Sequence, residues 1–174
     1  MSAQQRRAQL VALLQDSNLP ITGANLANML GVSRQVIVTD VAILRAKGTQ
    51  ILATPQGYML TGNSGDKVSR TIAVKHAASP QIIKEELDLI VDNGGFVRDV
   101  IVEHPLYGEI RGLLMLKSRK DVAEYLERMQ THDAEPLSVL TEGVHLHTIE
   151  ADDDETIKHI EEELAKAGYA LDLE

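Results

Sequence analysis

The sequence predicts an α+β fold in two parts: three helices closed by a β-hairpin, then a two-layer α/β sandwich on a mixed or antiparallel sheet. Three observations predict it. Apolar residues recur at helical spacing in three stretches before Gly48, and two short β-like runs follow. A run of turn formers, Thr61-Gly62-Asn63-Ser64-Gly65-Asp66, then separates the halves. Beyond it strands and helices intersperse, with one pair of strands adjacent in the chain. The expected domains are residues 1–62 and 66–174.

The first helix spans Gln4 to Leu14, where Ala8, Leu10, Val11, Leu13 and Leu14 keep helical spacing; Asp16-Ser17-Asn18 and Pro20 stop it. Thr22 is an N-cap candidate for a short second helix with Leu26, Ala27 and Leu30 inward. Gly31-Val32-Ser33 is a tight turn, and Ser33 caps a third helix running to Gly48. Gln50–Ala53 and Gly57–Leu60 are the hairpin strands around Thr54-Pro55-Gln56. In the second part the pattern reads strand Thr71–His76, helix Ser79–Val91, strands Phe96–Glu103 and Ile110–Leu116, and helix Lys120–Gln130. Strand Gly143–Ile149, helix Asp153–Ala167 and a weak last strand Tyr169–Leu173 complete it.

With 44% hydrophobic and 25% charged residues the composition is that of a soluble globular chain. The absence of Cys excludes disulfides, thiolate metal sites and Cys nucleophiles. No apolar run approaches the ~20 residues that span a bilayer, and the N-terminus has no signal-peptide pattern, so the expected location is cytoplasmic with no membrane partner. The net charge of −9 is unevenly spread. In the first sixty residues Arg6, Arg7, Arg34, Arg45 and Lys47 outnumber Asp16 and Asp40, so all the negative surplus lies beyond. A basic module beside an acidic one is compatible with a polyanion partner, although so small a surplus also arises by chance.

Leu26, Ala27 and Leu30 pack against Val36, Ile37 and Val41 only if a tight turn crosses the two helices steeply, and Gly31 permits that turn. This is a helix-turn-helix, with the hairpin as its wing. Its second helix then presents Ser33, Arg34, Gln35 and Thr39 to a major groove of double-stranded DNA. Arg34 suits guanine and Gln35 adenine, while Arg45 and Lys47 lie nearer the phosphates. The plainer alternative is a helical hairpin with a solvated polar face.

The second part carries His76, His104, His132, His145, His147 and His159. In a strand His145 and His147 share one face. Two imidazoles on an aliphatic strand are costly as core and suit a metal ion; an edge strand with hydrogen-bonded histidines is the alternative. His76 ends the preceding strand, and Glu86 lies between Ile82 and Ile90 on the buried side of the following helix, whereas Glu85 projects outward. A carboxylate near a core needs a partner. The candidate ligand set is His76, Glu86, His145 and His147, and its N/O donors fit Zn, Ni, Fe, Mn or Co. His104, Tyr107 and Arg111 cluster at a Pro/Gly turn that is either an effector pocket or a polar turn. A metalloenzyme, or a domain that only dimerises, remains an alternative; no catalytic pattern is present.

Two resemblances add to this. Leu26-Ala27, Leu30–Arg34, Asp40, Leu44-Arg45, Gly48, Ile51 and Gly57-Tyr58…Leu60 resemble the winged helix at the N-terminus of the biotin repressor and many bacterial regulators. Val74-Lys75-His76, Lys84–Leu87, Asp99–Gly112, Glu135–Leu137, Leu140–Ile149 and Gly168-Tyr169 resemble the 3H domain, which is named for its histidines. The combination is similar to the niacin-responsive repressors of bacterial NAD biosynthesis and niacin uptake genes. The resemblance implies a non-enzymatic homodimer, nicotinic acid as a co-repressing effector, and a divalent metal at the His/Glu cluster.

Overall fold

A computed structural model describes residues 1–61 and 65–171. The chain divides into two compact units, Met1–Ser64 and Gly65–Glu174. The centre of the expected linker, residues 62–64, lies outside the described residues. No single described helix is long and apolar enough to cross a membrane.

In the first unit α1 (Ala3–Gln15) opens on a capping box: Ser2 accepts from the Gln5 amide while the Gln5 side chain accepts from Ser2. Thr22 caps α2 (Gly23–Leu30) through the Asn25 amide, and Ser33 caps α3 (Arg34–Ala46) through that of Val36. Between them Gly31 sits at φ 66°, and α2 and α3 meet at 101°, as a helix-turn-helix requires. Leu10, Leu14, Leu26, Ala27, Leu30, Ile37, Val41 and Ile51 form the core. Complete burial of each large aliphatic chain contributes about 1.5–3 kcal/mol. Val36, expected among them, is only half-buried. α3 stops at Ala46, short of Gly48, because the Thr49 amide bonds back to the Leu44 carbonyl around Gly48 at φ 94°. β1 (Ile51–Thr54) and β2 (Gly57–Leu60) pair antiparallel as the wing. The wing is tied to the α1–α2 loop by reciprocal Ile21–Tyr58 backbone bonds.

Asp40 on α3 is buried and receives both Arg6, at 2.6 Å, and Arg7, at 3.2 Å. Two of the five cations counted in this half are therefore spent on fastening α1 to α3. The cations exposed on α3 and its C-terminal turn are Arg34, Arg45 and Lys47.

The second unit comprises β3 (Val68–Lys75), α4 (Pro80–Asp92), β4 (Phe96–His104), β5 (Gly108–Leu116) and α5 (Arg119–Thr131). A 3-10 helix at Leu137–Thr141, β6 (Val144–Ala151) and α6 (Asp154–Lys166) follow. The sheet order is β3-β6-β4-β5, and every neighbouring pair is antiparallel. β6 therefore inserts between β3 and β4, and β6 and β4 are the two central strands. The three helices form the second layer, and Ile72, Val74, Leu87, Ile90, Val97, Leu116, Ile149, Ile160 and Leu164 fill the space between. β3 starts at Val68, earlier than expected, because its pairing with β6 extends to Ala151. The expected last strand reduces to one bridge, Ala170 opposite Val74; residues 172–173 lie outside the described residues.

Candidate metal centre and nucleic-acid interface

Sheet register and helix phase bring four side chains together. His145 and His147 alternate inward on β6, opposite Val74 and Ile72 of β3. His76 follows the last residue of β3, and Glu86 lies on the inner face of α4 beside Leu87 and Ile90. The Glu86 side chain is 1% exposed, and those of the three histidines are no more than 4%. Its carboxylate meets all three Nε2 atoms: His147 at 2.9 Å and His145 at 3.3 Å through Oε1, and His76 through Oε2. Ligand atoms of His76, Glu86 and His145 all lie within 4.8 Å of one another.

The other ring nitrogens explain this convergence. His76 Nδ1 faces the Ala77 carbonyl at 2.9 Å, His145 Nδ1 that of Gly143 at 2.9 Å, and His147 Nδ1 that of Asp99 at 2.7 Å. A carbonyl only accepts, so each Nδ1 carries the proton. Each Nε2 carries a proton while it donates to Glu86, and loss of that proton frees it to bind a cation, in the arrangement that metal-ligating histidines adopt. With three anchored imidazoles and one buried carboxylate, the donor set fits a divalent ion.

The titration of these groups points the same way. Burial alone would raise the Glu86 pKa, but the His147 charge and the hydrogen bonds from His145, His147 and His76 outweigh it and hold it well below the ordinary 4.5. Burial likewise opposes charging of His76 and His147, yet Glu86 raises both above 6.5. The stabilisation from Glu86 is therefore present above pH 4.5 and lost as pH falls through its depressed value. That from His76 and His147 is present below pH 6.5 and lost as pH rises through their raised values. We expect thermal unfolding of metal-free protein to show the greatest cluster contribution between those limits. A flat profile above pH 6.5 would contradict the coupling.

The cluster forms one wall of a small cleft open to solvent. Ile83, Leu87, Val100, Leu114 and Leu137 give it apolar sides, and Tyr125 and Ser138 add hydroxyls. Burial, and then the Glu86 charge, raises the Tyr125 pKa, so the phenol keeps its proton and can donate it. The lining that follows α5 was not legible in the sequence, because the 3-10 helix carries no periodicity of its own; only the Glu-Pro-Leu segment marked its start. Glu85 lies outside the cluster, where its carboxylate accepts from Tyr169 Oη at 2.8 Å.

His104, Tyr107 and Arg111 do not line this cavity. They lie on the β4–β5 hairpin. His104 Nδ1 accepts from the Leu106 amide at 3.1 Å, its ring is 5.0 Å from that of Tyr107, and Arg111 pairs with Asp99 at 3.2 Å. Tyr107 is 70% exposed. On the first unit Ser33, Arg34, Gln35, Thr39 and Arg45 are all exposed along α3. Ser33 Oγ is occupied as an N-cap acceptor, and Thr39 Oγ1 donates to the Gln35 carbonyl at 3.0 Å. Arg34 and Gln35 are the longest side chains at the leading end of the helix, where groove-reading residues sit.

Comparison with known proteins places these units. A family described as "HTH domain" matches residues 6–59, and one described as "3H domain" matches residues 69–173. The chain is 51% identical over 169 residues to "Probable transcription repressor NiaR" of Thermotoga maritima, covering 97% of this chain and 95% of that protein. It is 42% identical over 169 residues to "Transcription repressor NadR" of Bacillus subtilis, covering 95% and 93%.

Proposed function

We propose, for a chain that belongs to the family of transcription repressors joining an HTH domain to a 3H domain, that it represses NAD-biosynthesis or niacin-uptake genes when nicotinic acid occupies a metal-containing sensor site. The observation that carries the sensor half is the convergence of three carbonyl-anchored histidines on the buried Glu86. His76, Glu86, His145 and His147 hold a divalent ion, which supplies a positive charge and a Lewis-acid position for a carboxylate. The apolar walls accept a flat ring, and the protonated Tyr125 and the Ser138 hydroxyl offer hydrogen bonds to the effector. The repressor acts in the cytoplasm and has no enzymatic role, in keeping with relatives named as repressors.

The reading half enters the major groove with α3. Two copies of the chain bind half-sites one helical turn apart, ~34 Å, so effector binding acts by setting the separation of the heads. The test is fluorescence anisotropy of operator DNA with and without nicotinic acid, in metal-loaded and chelator-treated protein. Tighter binding with nicotinic acid, abolished by chelator, supports the reading; an affinity indifferent to nicotinic acid removes the effector. In the same assay Arg34→Ala is expected to cost about 1–3 kcal/mol on the preferred operator and to relax its base preference. Arg45→Ala is expected to weaken all sequences alike and to lower the salt slope by about one.

A further inference from the structure

Asp99 is a carboxylate with 0% exposure in the middle of β4. The sheet register explains how it is held. Between Val97 and Ile101, β4 carries one residue more than β6. At the same level β5 carries one residue more than β4, and Met115 turns to φ 54°. Val97 and Val100, three residues apart, consequently reach the same core, which regular alternation forbids. In this bulge Thr148 has no register partner on β4, and its amide donates to the Asp99 carboxylate at 2.9 Å. The Asp99 main-chain carbonyl is thereby directed at the His147 ring and accepts Nδ1–H at 2.7 Å. The second carboxylate oxygen takes Arg111 Nη1 at 3.2 Å, so the buried charge is compensated from the surface.

We propose that Asp99 is the positioning residue of His147: its carboxylate clamps the bulge against Thr148 and Arg111, so that its own carbonyl fixes the ring with Nε2 turned to Glu86. The proposal rests on the metal reading above, since a fixed Nε2 matters most to a bound cation. A bulge that re-aims a side chain beside a functional site is a recurrent device. Partners that orient a ligating imidazole are worth roughly 10–100-fold in metal affinity.

The test combines calorimetric titration of the full chain with zinc and nitrogen-15 NMR of the zinc-loaded histidine rings. Wild type is expected to bind the ion and to show His147 as the Nδ1–H tautomer. Asp99→Ala is expected to bind about 10–100-fold more weakly, with a mixed tautomer at His147. Asp99→Asn, which keeps an acceptor for the Thr148 amide, is expected to recover most of the loss and the tautomer. A folded Asp99→Ala protein with wild-type affinity and an unchanged His147 tautomer overturns the proposal. Should Asp99→Ala fail to fold, wild type decides: no scalar coupling between His147 Nδ1 and the Asp99 carbonyl carbon overturns it equally. If wild type takes up no ion, the metal reading falls, and the coupling between His147 Nδ1 and the Asp99 carbonyl carbon in metal-free wild type still decides the clamp.

Discussion

Glu86→Gln is expected to weaken divalent-ion binding by at least about 100-fold, because it removes a charged ligand and leaves an amide whose NH2 cannot ligate. The metal-free protein is expected to suffer as well. The Glu86 carboxylate is 1% exposed and is the shared acceptor for three buried imidazoles, so its neutralisation removes the reason for His76 and His147 to hold extra protons. Breaking a buried ion pair from one side costs about 3–5 kcal/mol. Calorimetric titration and thermal unfolding of wild type and variant measure the two effects. Glu85→Gln is the internal control: its carboxylate touches the hydroxyl of the half-buried Tyr169 and no cluster side chain directly, so ion affinity is expected to stay put. Retention of wild-type affinity in Glu86→Gln would remove Glu86 from the ligand set.

The second large effect is expected at Gly143. Its φ is 93°, and a Cβ added there would stand 2.2 Å from the main-chain oxygen of His76. Backbone, not a flexible side chain, is what must move. The Gly143 carbonyl also receives the His145 Nδ1 proton at 2.9 Å and faces the His76 amide at 3.4 Å. Gly143→Ala therefore strikes two of the four cluster residues at once. We expect a loss of at least about 3 kcal/mol in urea unfolding, from left-handed strain and steric overlap together. Gly108→Ala separates these contributions. Its φ of 74° is equally positive, but nothing lies within 4 Å of the added carbon, so only the ~1–2 kcal/mol of backbone strain is expected. Equal losses at the two sites would show that the overlap at Gly143 relaxes freely.

What could be read from the chain divides along physical lines. Helices with strong caps and strands with strict alternation were legible: Ser33, Ser79, Ser118 and Asp153 each cap the helix expected after them. The convergence of His76, Glu86, His145 and His147 was legible because three of its determinants are local. These are period two on β6, helical phase on α4, and a histidine at the end of β3. The order of strands was not, since pairing β6 between β3 and β4 depends on contacts far apart in sequence. Asp99 was invisible as a special residue because a bulge breaks the very alternation by which inward positions are recognised. The cavity lining from the 3-10 helix was missed for the complementary reason that five residues, Leu137–Thr141, are too few to display a period. Counting Arg6 and Arg7 toward a DNA-facing surplus failed because charge counts ignore internal pairing, and Asp40 absorbs both.

The three Nδ1–carbonyl anchors have a kinetic consequence. A ligand free to rotate about χ1 or χ2 lets an ion escape one bond at a time, each departed imidazole swinging clear before the next lets go. Rings pinned at 2.7–2.9 Å to Ala77, Gly143 and Asp99 recapture the ion before it leaves. For the proposed ion, exchange then requires the sheet and the α4 N-terminal loop to open together, and release becomes slow compared with the coming and going of a small molecule in the adjoining cavity. On the proposed function the cation would then act as a standing part of the site, and the effector would be the variable that the site reports.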